Sequence, residues 1–95
     1  MQLLELVTVR SPHGLHLRAA AHLVEITQKF QSRIMVQKGD KRVEARSLLG
    51  LLTLAAEPGN ELQVFIDGED AEETSNALRK FFEEEVGEIN PETST

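Results

Sequence analysis

The stretch that decides the fold reads Val7-Thr8-Val9-Arg10-Ser11-Pro12-His13-Gly14-Leu15-His16-Leu17-Arg18-Ala19-Ala20. Its hydrophobic period changes halfway along. From Leu3 to Val9 the β-compatible residues Leu4, Leu6, Val7 and Val9 alternate loosely, which predicts a strand. Ser11-Pro12 ends that run, and Pro12 with Gly14 marks a turn. Beyond it Ala20, Leu23, Val24, Thr27 and Phe30 recur at helical spacing, so a helix is expected over about 17–29. His13 and His16 therefore stand where a loop becomes a helix.

The same reading extends downstream. Ile34-Met35-Val36 and Arg42-Val43-Glu44-Ala45 are short strands around the turn Lys38-Gly39-Asp40-Lys41, a hairpin pattern. Ser47 precedes the leucine-rich run Leu48–Leu54 and is a helix N-cap candidate, since its hydroxyl can accept from an unpaired amide of the first turn. That run holds too many leucines for one buried stripe: Leu51 and Leu54 share one side, Leu48, Leu49 and Leu52 another. After the turn Glu57-Pro58-Gly59-Asn60, Leu62, Val64 and Ile66 alternate as a strand. Asp70, with Glu73 three residues on, has capping-box-like spacing at the start of a last helix. Ala71, Thr74, Ala77, Leu78, Phe81, Phe82 and Val86 supply its apolar stripe, and Gly87 its stop. Residues 1–87 are expected to form one domain and 88–95 a disordered acidic tail. The order β-α-β-β-α-β-α predicts an α+β two-layer domain.

Composition narrows the function. A chain of 95 residues, 40% hydrophobic and 27% charged, holds one modest core. It has no cysteine, which removes disulfides, thiolate metal sites and cysteine nucleophiles. No apolar run approaches the ~20 residues of a membrane span, so a soluble, cytoplasmic protein without membrane insertion is expected. Charge is divided along the chain. Residues 1–50 carry eight basic and four acidic groups; residues 51–95 carry two basic and twelve acidic. The acidic total of −6 and only four aromatic residues argue against a nucleic-acid partner. We read the division as a small positive face, with Arg18 and Arg46 at two helix starts flanking the site, on an acidic body whose last helix lies away from His16.

Pro12-His13-Gly14-Leu15-His16-Leu17-Arg18 is the compact chemical constellation. A helix start offers unpaired N–H groups and the positive end of the dipole, which together suit an anion. Arg18 adds a planar, multi-donor cation two residues after His16. A neutral imidazole is a competent nucleophile near neutral pH. Such a set describes a histidine that takes a phosphoryl group and holds its charge against amides and arginine. The blander alternative is a surface histidine at a helix start. His16 and His22 lie six apart, off the shared face that i,i+4 metal ligands need, so no metal is expected. No Walker loop, dinucleotide fingerprint or local hydrolase triad is present. His22 reads as a surface helix residue.

Gly14-Leu15-His16-Leu17-Arg18-Ala19-Ala20 resembles the active-site signature G-[LI]-H-A-R-P-A of the HPr family, the histidine-containing phosphocarriers of the phosphoenolpyruvate-dependent phosphotransferase system. Arg46-Ser47-Leu48-Leu49-Gly50-Leu51-Leu52-Thr53-Leu54 resembles that family's segment around a regulatory serine, and the resemblance covers about residues 2–86. It implies an open-faced sandwich with a four-stranded antiparallel sheet covered by three helices. It also implies that His16 accepts phosphate at Nδ1 from phosphorylated enzyme I and passes it to a downstream EIIA-type acceptor. Arg18 and the amide of Leu17 would bind the phosphoryl group. Ser47 would be the target of an HPr kinase, the alternative being a cap and nothing more. Arg46, Leu48, Leu49 and Leu52 would dock partners. No cofactor is implied, and the expected shuttle is a monomer and a carrier rather than an autonomous enzyme.

Two positions depart from the signature: Ala19 stands for its proline, and Leu17 for a small residue. His13 occupies a place where the family often has a small polar residue, from which it could hydrogen-bond phosphorylated His16. Two other readings stand beside the carrier. One is a regulatory HPr-like module, nitrogen-type or Crh-like, without a role in sugar import. The other is an unrelated α+β scaffold with an accidental motif match, which a lack of pairing between 34–36 and 43–45 would favour.

Overall fold

The chain folds into β1 (Gln2–Val9), α1 (Leu17–Thr27), β2 (Arg33–Lys38), β3 (Lys41–Glu44), α2 (Leu48–Thr53), β4 (Glu61–Asp67), α3 (Ala71–Glu85) and β5 (Gly87–Ile89). This is a computed structural model, and it describes residues 1–90. The strands form one sheet in the order β3-β2-β4-β1-β5, antiparallel throughout. The hairpin is present, with Met35 opposite Glu44 and Val36 opposite Val43. Its absence, which would have revived the unrelated-scaffold reading, is not found.

Strand alternation separates two faces. Val7 and Val9, Ile34 and Val36, and Leu62, Val64 and Ile66 are buried in one cluster with the helices. Against them lie Ala19, Ala20 and Leu23 of α1, Leu51 of α2 with Leu54 just beyond it, and Leu78, Phe81 and Phe82 of α3. The leucine-rich run divides as expected: Leu51 and Leu54 are sealed, whereas Leu48 and Leu52 are half-buried and Leu49 is 76% exposed. In β1 the inward row is Glu5, Val7 and Val9, so Leu4 and Leu6 fall on the open face. There Leu4, Phe65 and Met35 form a row across three strands, and the Arg42 guanidinium lies 4.2 Å from the Phe65 ring centre.

Three expectations change. Among the described residues the sheet has five strands, not four. Gly87 does end α3, but the chain then turns onto the edge of β1, pairing Gly87 with Val9, Thr8 with Glu88 and Val7 with Ile89. Only glycine fits there, since a Cβ on Gly87 would lie 1.8 Å from the Thr8 carbonyl oxygen. Glu88 and Ile89, expected in a disordered tail, are therefore strand residues; residues 91–95 lie outside those described. Asp70 stands at the start of α3, yet its side chain makes no bond to that helix's open amides. Its carboxylate instead accepts from the backbone amides of Gln31 and Ser32 and from the Ser32 hydroxyl, anchoring the α1–β2 connection.

Candidate phosphoryl site

His16 is the N-cap of α1, with extended backbone (φ −82, ψ 176) and its carbonyl accepting from the amide of Ala20 at 2.9 Å. An N-cap usually spends its side chain on the first turn. His16 does not: its imidazole makes no capping bond and stays available for chemistry. The first amides of α1, beginning at Leu17 and Arg18, belong to the turn whose donors have no intrahelical partner. No acidic residue lies in that turn to occupy them.

The loop that delivers His16 is fixed from below. Leu15 is buried, and its amide donates to the carbonyl of Ala56 at 3.1 Å. Gly14 has φ +63, and a Cβ there would lie 2.0 Å from the Ala56 oxygen. Glycine is needed twice over, for the backbone angle and for the close approach. The partner segment is itself strained: Ala55, just past the end of α2, has φ +51, which an L side chain seldom adopts. His13 stands edge-on to His16, with ring centres 6.1 Å apart.

Arg18 is exposed and takes no ion pair or side-chain hydrogen bond among the described residues. Its guanidinium is therefore uncommitted. His16, Arg18, His22 and Glu85 line one shallow cleft. One sequence expectation is corrected here. The acidic end of α3 does not lie away from His16; Glu85 lines the same cleft, and Glu83 and Glu84 border the Arg10-Ser11-Pro12 loop. The cause is backbone pairing, since the amides of Arg10 and Ser11 both donate to the carbonyl of Val86 at 2.8 and 2.9 Å. His22 is an exposed helix residue, as expected, and it meets α3: Nδ1 contacts Glu85 Oε2, and the ring stands edge-on to Phe81 at 5.4 Å. Sequence reasoning missed Glu85 because only tertiary packing brings it near residue 16.

Arg46 does not flank the site. It donates to the carbonyl of Phe30 at 2.8 Å, beyond the C-terminal end of α1, whereas His16 is at the opposite end of that helix. Ser47 caps α2 as expected, its exposed hydroxyl oxygen accepting from the Gly50 amide at 3.0 Å. Leu17 is 59% exposed on the first turn of α1, and α1 packs against α2, which carries exposed Leu49.

The family profile described as "PTS HPr component phosphorylation site" matches residues 5–84. The chain belongs to the HPr family. The phosphocarrier protein HPr of Xylella fastidiosa (strain Temecula1) is 40% identical over 82 residues, covering 86% of this chain and 92% of that one. The HPr-like protein Crh of Bacillus subtilis is 38% identical over 80 residues, 84% of this chain and 94% of its own. Among solved structures, HPr from Thermoanaerobacter tengcongensis superposes with a TM-score of 0.79 at 35% identity, covering 84% of this chain and 90% of that one. The fold and function expected of an HPr phosphocarrier of the phosphotransferase system therefore hold for this chain. Phosphotransfer partners belong to that function. No helix among the described residues is long and apolar enough to cross a membrane.

Proposed function

We propose that His16 is the phosphoacceptor of this HPr-family carrier. The observation that carries the reading is a side chain left free at an N-cap, with the uncommitted Arg18 on the same helical turn. With its proton on Nε2, the imidazole presents a lone pair at Nδ1. That pair forms the N–P bond as the bond from phosphorus to phosphorylated enzyme I breaks, the bonding electrons leaving with the donor. The dianionic product lies against Arg18 and the first amides of α1, including that of Leu17, which favours it without a metal or cofactor. Delivery to an EIIA-type acceptor is the reverse exchange.

Transient docking falls to the exposed and half-buried side of α2, Leu48, Leu49 and Leu52, with Arg46 at its base and Leu17 across on α1. The carrier acts as a cytoplasmic monomer. An HPr kinase would meet Ser47 as an exposed hydroxyl on a helix start, where added negative charge suits the dipole but repels an acidic partner. The similarity to Crh supports a second reading, a regulatory module that controls partners without feeding import. Labelled protein that fails to pass its phosphate to any EIIA-type acceptor would favour that reading.

Incubation with phosphoenolpyruvate and enzyme I tests the assignment. The parent should acquire one acid-labile phosphoryl group and His16→Ala none. Equal labelling of the variant would overturn it.

A further inference from the structure

Three carboxylates, Glu83, Glu84 and Glu85, occupy the last turn of α3, where the helix dipole already presents its negative end. No basic residue of that turn compensates them. One of the three, Glu85, lines the cleft shared by His16 and Arg18. Simple electrostatics would pair it with the guanidinium, because an exposed arginine beside a carboxylate is the ordinary surface ion pair. Arg18 nevertheless has no such partner among the described residues, and Glu85 is engaged elsewhere. Its Oε2 contacts Nδ1 of His22, one turn further along α1 from Arg18. An ionised carboxylate only accepts hydrogen bonds, so Nδ1 carries the proton and donates. Phe81, buried and edge-on to the imidazole, fixes the ring from the side of α3.

We propose that His22 is a positioning residue for phosphoryl transfer: by holding Glu85 across the α1–α3 seam, it keeps that carboxylate off Arg18 and leaves the guanidinium free for the phosphoryl group on His16. The proposal rests on His16 as the acceptor. His22 touches no reacting atom in this scheme. Its effect runs through Glu85, whose negative charge would otherwise both occupy Arg18 and repel an incoming dianion. A carrier with an acidic helix end against its active site needs such a device; one lacking Glu85 would not.

The test is a double-mutant cycle on the initial rate of labelling by phosphorylated enzyme I, and on the half-life of the phosphorylated protein. His22→Ala should label more slowly and lose phosphate sooner, by roughly two- to fivefold, the span that one exposed ion pair commands. Combining His22→Ala with Glu85→Gln should restore both readouts to the parent's range, because there is no longer a carboxylate to restrain. A purely structural role for His22 would not be rescued by removing its partner's charge. His22→Gln, which keeps a donor for Glu85, should stay closer to the parent than His22→Ala. Parental behaviour of His22→Ala, or a double variant as slow as the single one, overturns the proposal. His16→Ala run alongside separates the two readings: if it still labels, the acceptor assignment fails, and if it does not while the cycle shows no coupling, only the role of His22 fails.

Discussion

The amide of Leu15 donates to the carbonyl of Ala56, binding the loop that carries His16 to the segment leaving α2. Through this bond the candidate chemical site and the helix bearing the exposed leucine share one backbone anchor. The presentation of His16 and the placing of α2, the helix proposed to dock partners, are therefore mechanically linked by a contact that neither helix makes alone.

Gly14 makes that anchor possible, and Gly14→Ala should break it. The new Cβ would meet the Ala56 oxygen at 2.0 Å in a backbone already at φ +63. Loop or α2 segment must then shift. Urea unfolding should show a loss of ~2 kcal/mol or more, the scale of strain at a special backbone position. Labelling at His16 should slow in the same variant.

Arg18→Lys should separate charge from geometry. The side chain is exposed and makes no ion pair among the described residues, so thermal unfolding should move by less than ~0.5 kcal/mol in equivalent stability. Lysine keeps the charge but loses the planar fork that meets phosphate with two parallel bonds. The labelling rate should fall about tenfold, which corresponds to one charge-assisted hydrogen bond. An unchanged rate would make Arg18 a point charge and nothing further.

Much of this molecule was legible in its sequence because the decisive signals are local. A period change at Pro12-His13-Gly14, a serine before a leucine run and clean alternation at Leu62, Val64 and Ile66 each act within a few residues. The errors all concern pairs distant in sequence. Asp70 had the spacing of a helix cap, but Ser32 and Gln31 compete for its carboxylate from 38 and 39 residues away. Gly87 read as a helix stop, and nothing nearby in sequence announces that Val9 will take it as a strand neighbour. The places of His16, Arg18 and Ser47 at helix starts were legible for the same reason, whereas Glu85 reaches the cleft only because Val86 pairs with the Arg10-Ser11 backbone.

Ser47 has a structural duty that any regulatory one must coexist with. Ser47→Ala removes the acceptor for the Gly50 amide and should cost ~1 kcal/mol. Ser47→Asp retains a capping oxygen and should fold normally, while its added charge slows phosphate acceptance from enzyme I. A Ser47→Asp protein that labels at the parental rate counts against regulation by charge at this position.

Ala55 holds a left-handed backbone, φ +51, where helices commonly end on glycine. Its side chain is exposed, so replacing it creates no cavity. Ala55→Gly should relieve the Cβ clash and stabilise the protein by up to about 1 kcal/mol, net of the greater freedom of glycine in the unfolded chain. Calorimetry would register this as a higher midpoint. A lower midpoint would mean that the methyl group packs favourably despite its backbone angle.

Asp70 ties acid stability to the α1–β2 connection. The Ser32 hydroxyl, then the Gln31 amide, hold its carboxyl below the ordinary value of 3.8 against the opposing effect of desolvation, with the Ser32 amide and Thr74 adding less. A group whose folded-state pKa is depressed stabilises the fold above its unfolded value, and loses that contribution as pH falls through the folded one. The anchor is thus complete near neutral pH and fails only in acid, below about pH 4. Asp70→Asn cannot carry the charge that draws in all these donors. Relative to the parent, it should be less stable at neutral pH, and the gap should close as both proteins are acidified. Unfolding midpoints measured across that range decide the matter: a gap that stays constant down to strong acid would show that Asp70 acts by shape alone, and that the bonds from Ser32 and Gln31 gain nothing from its charge.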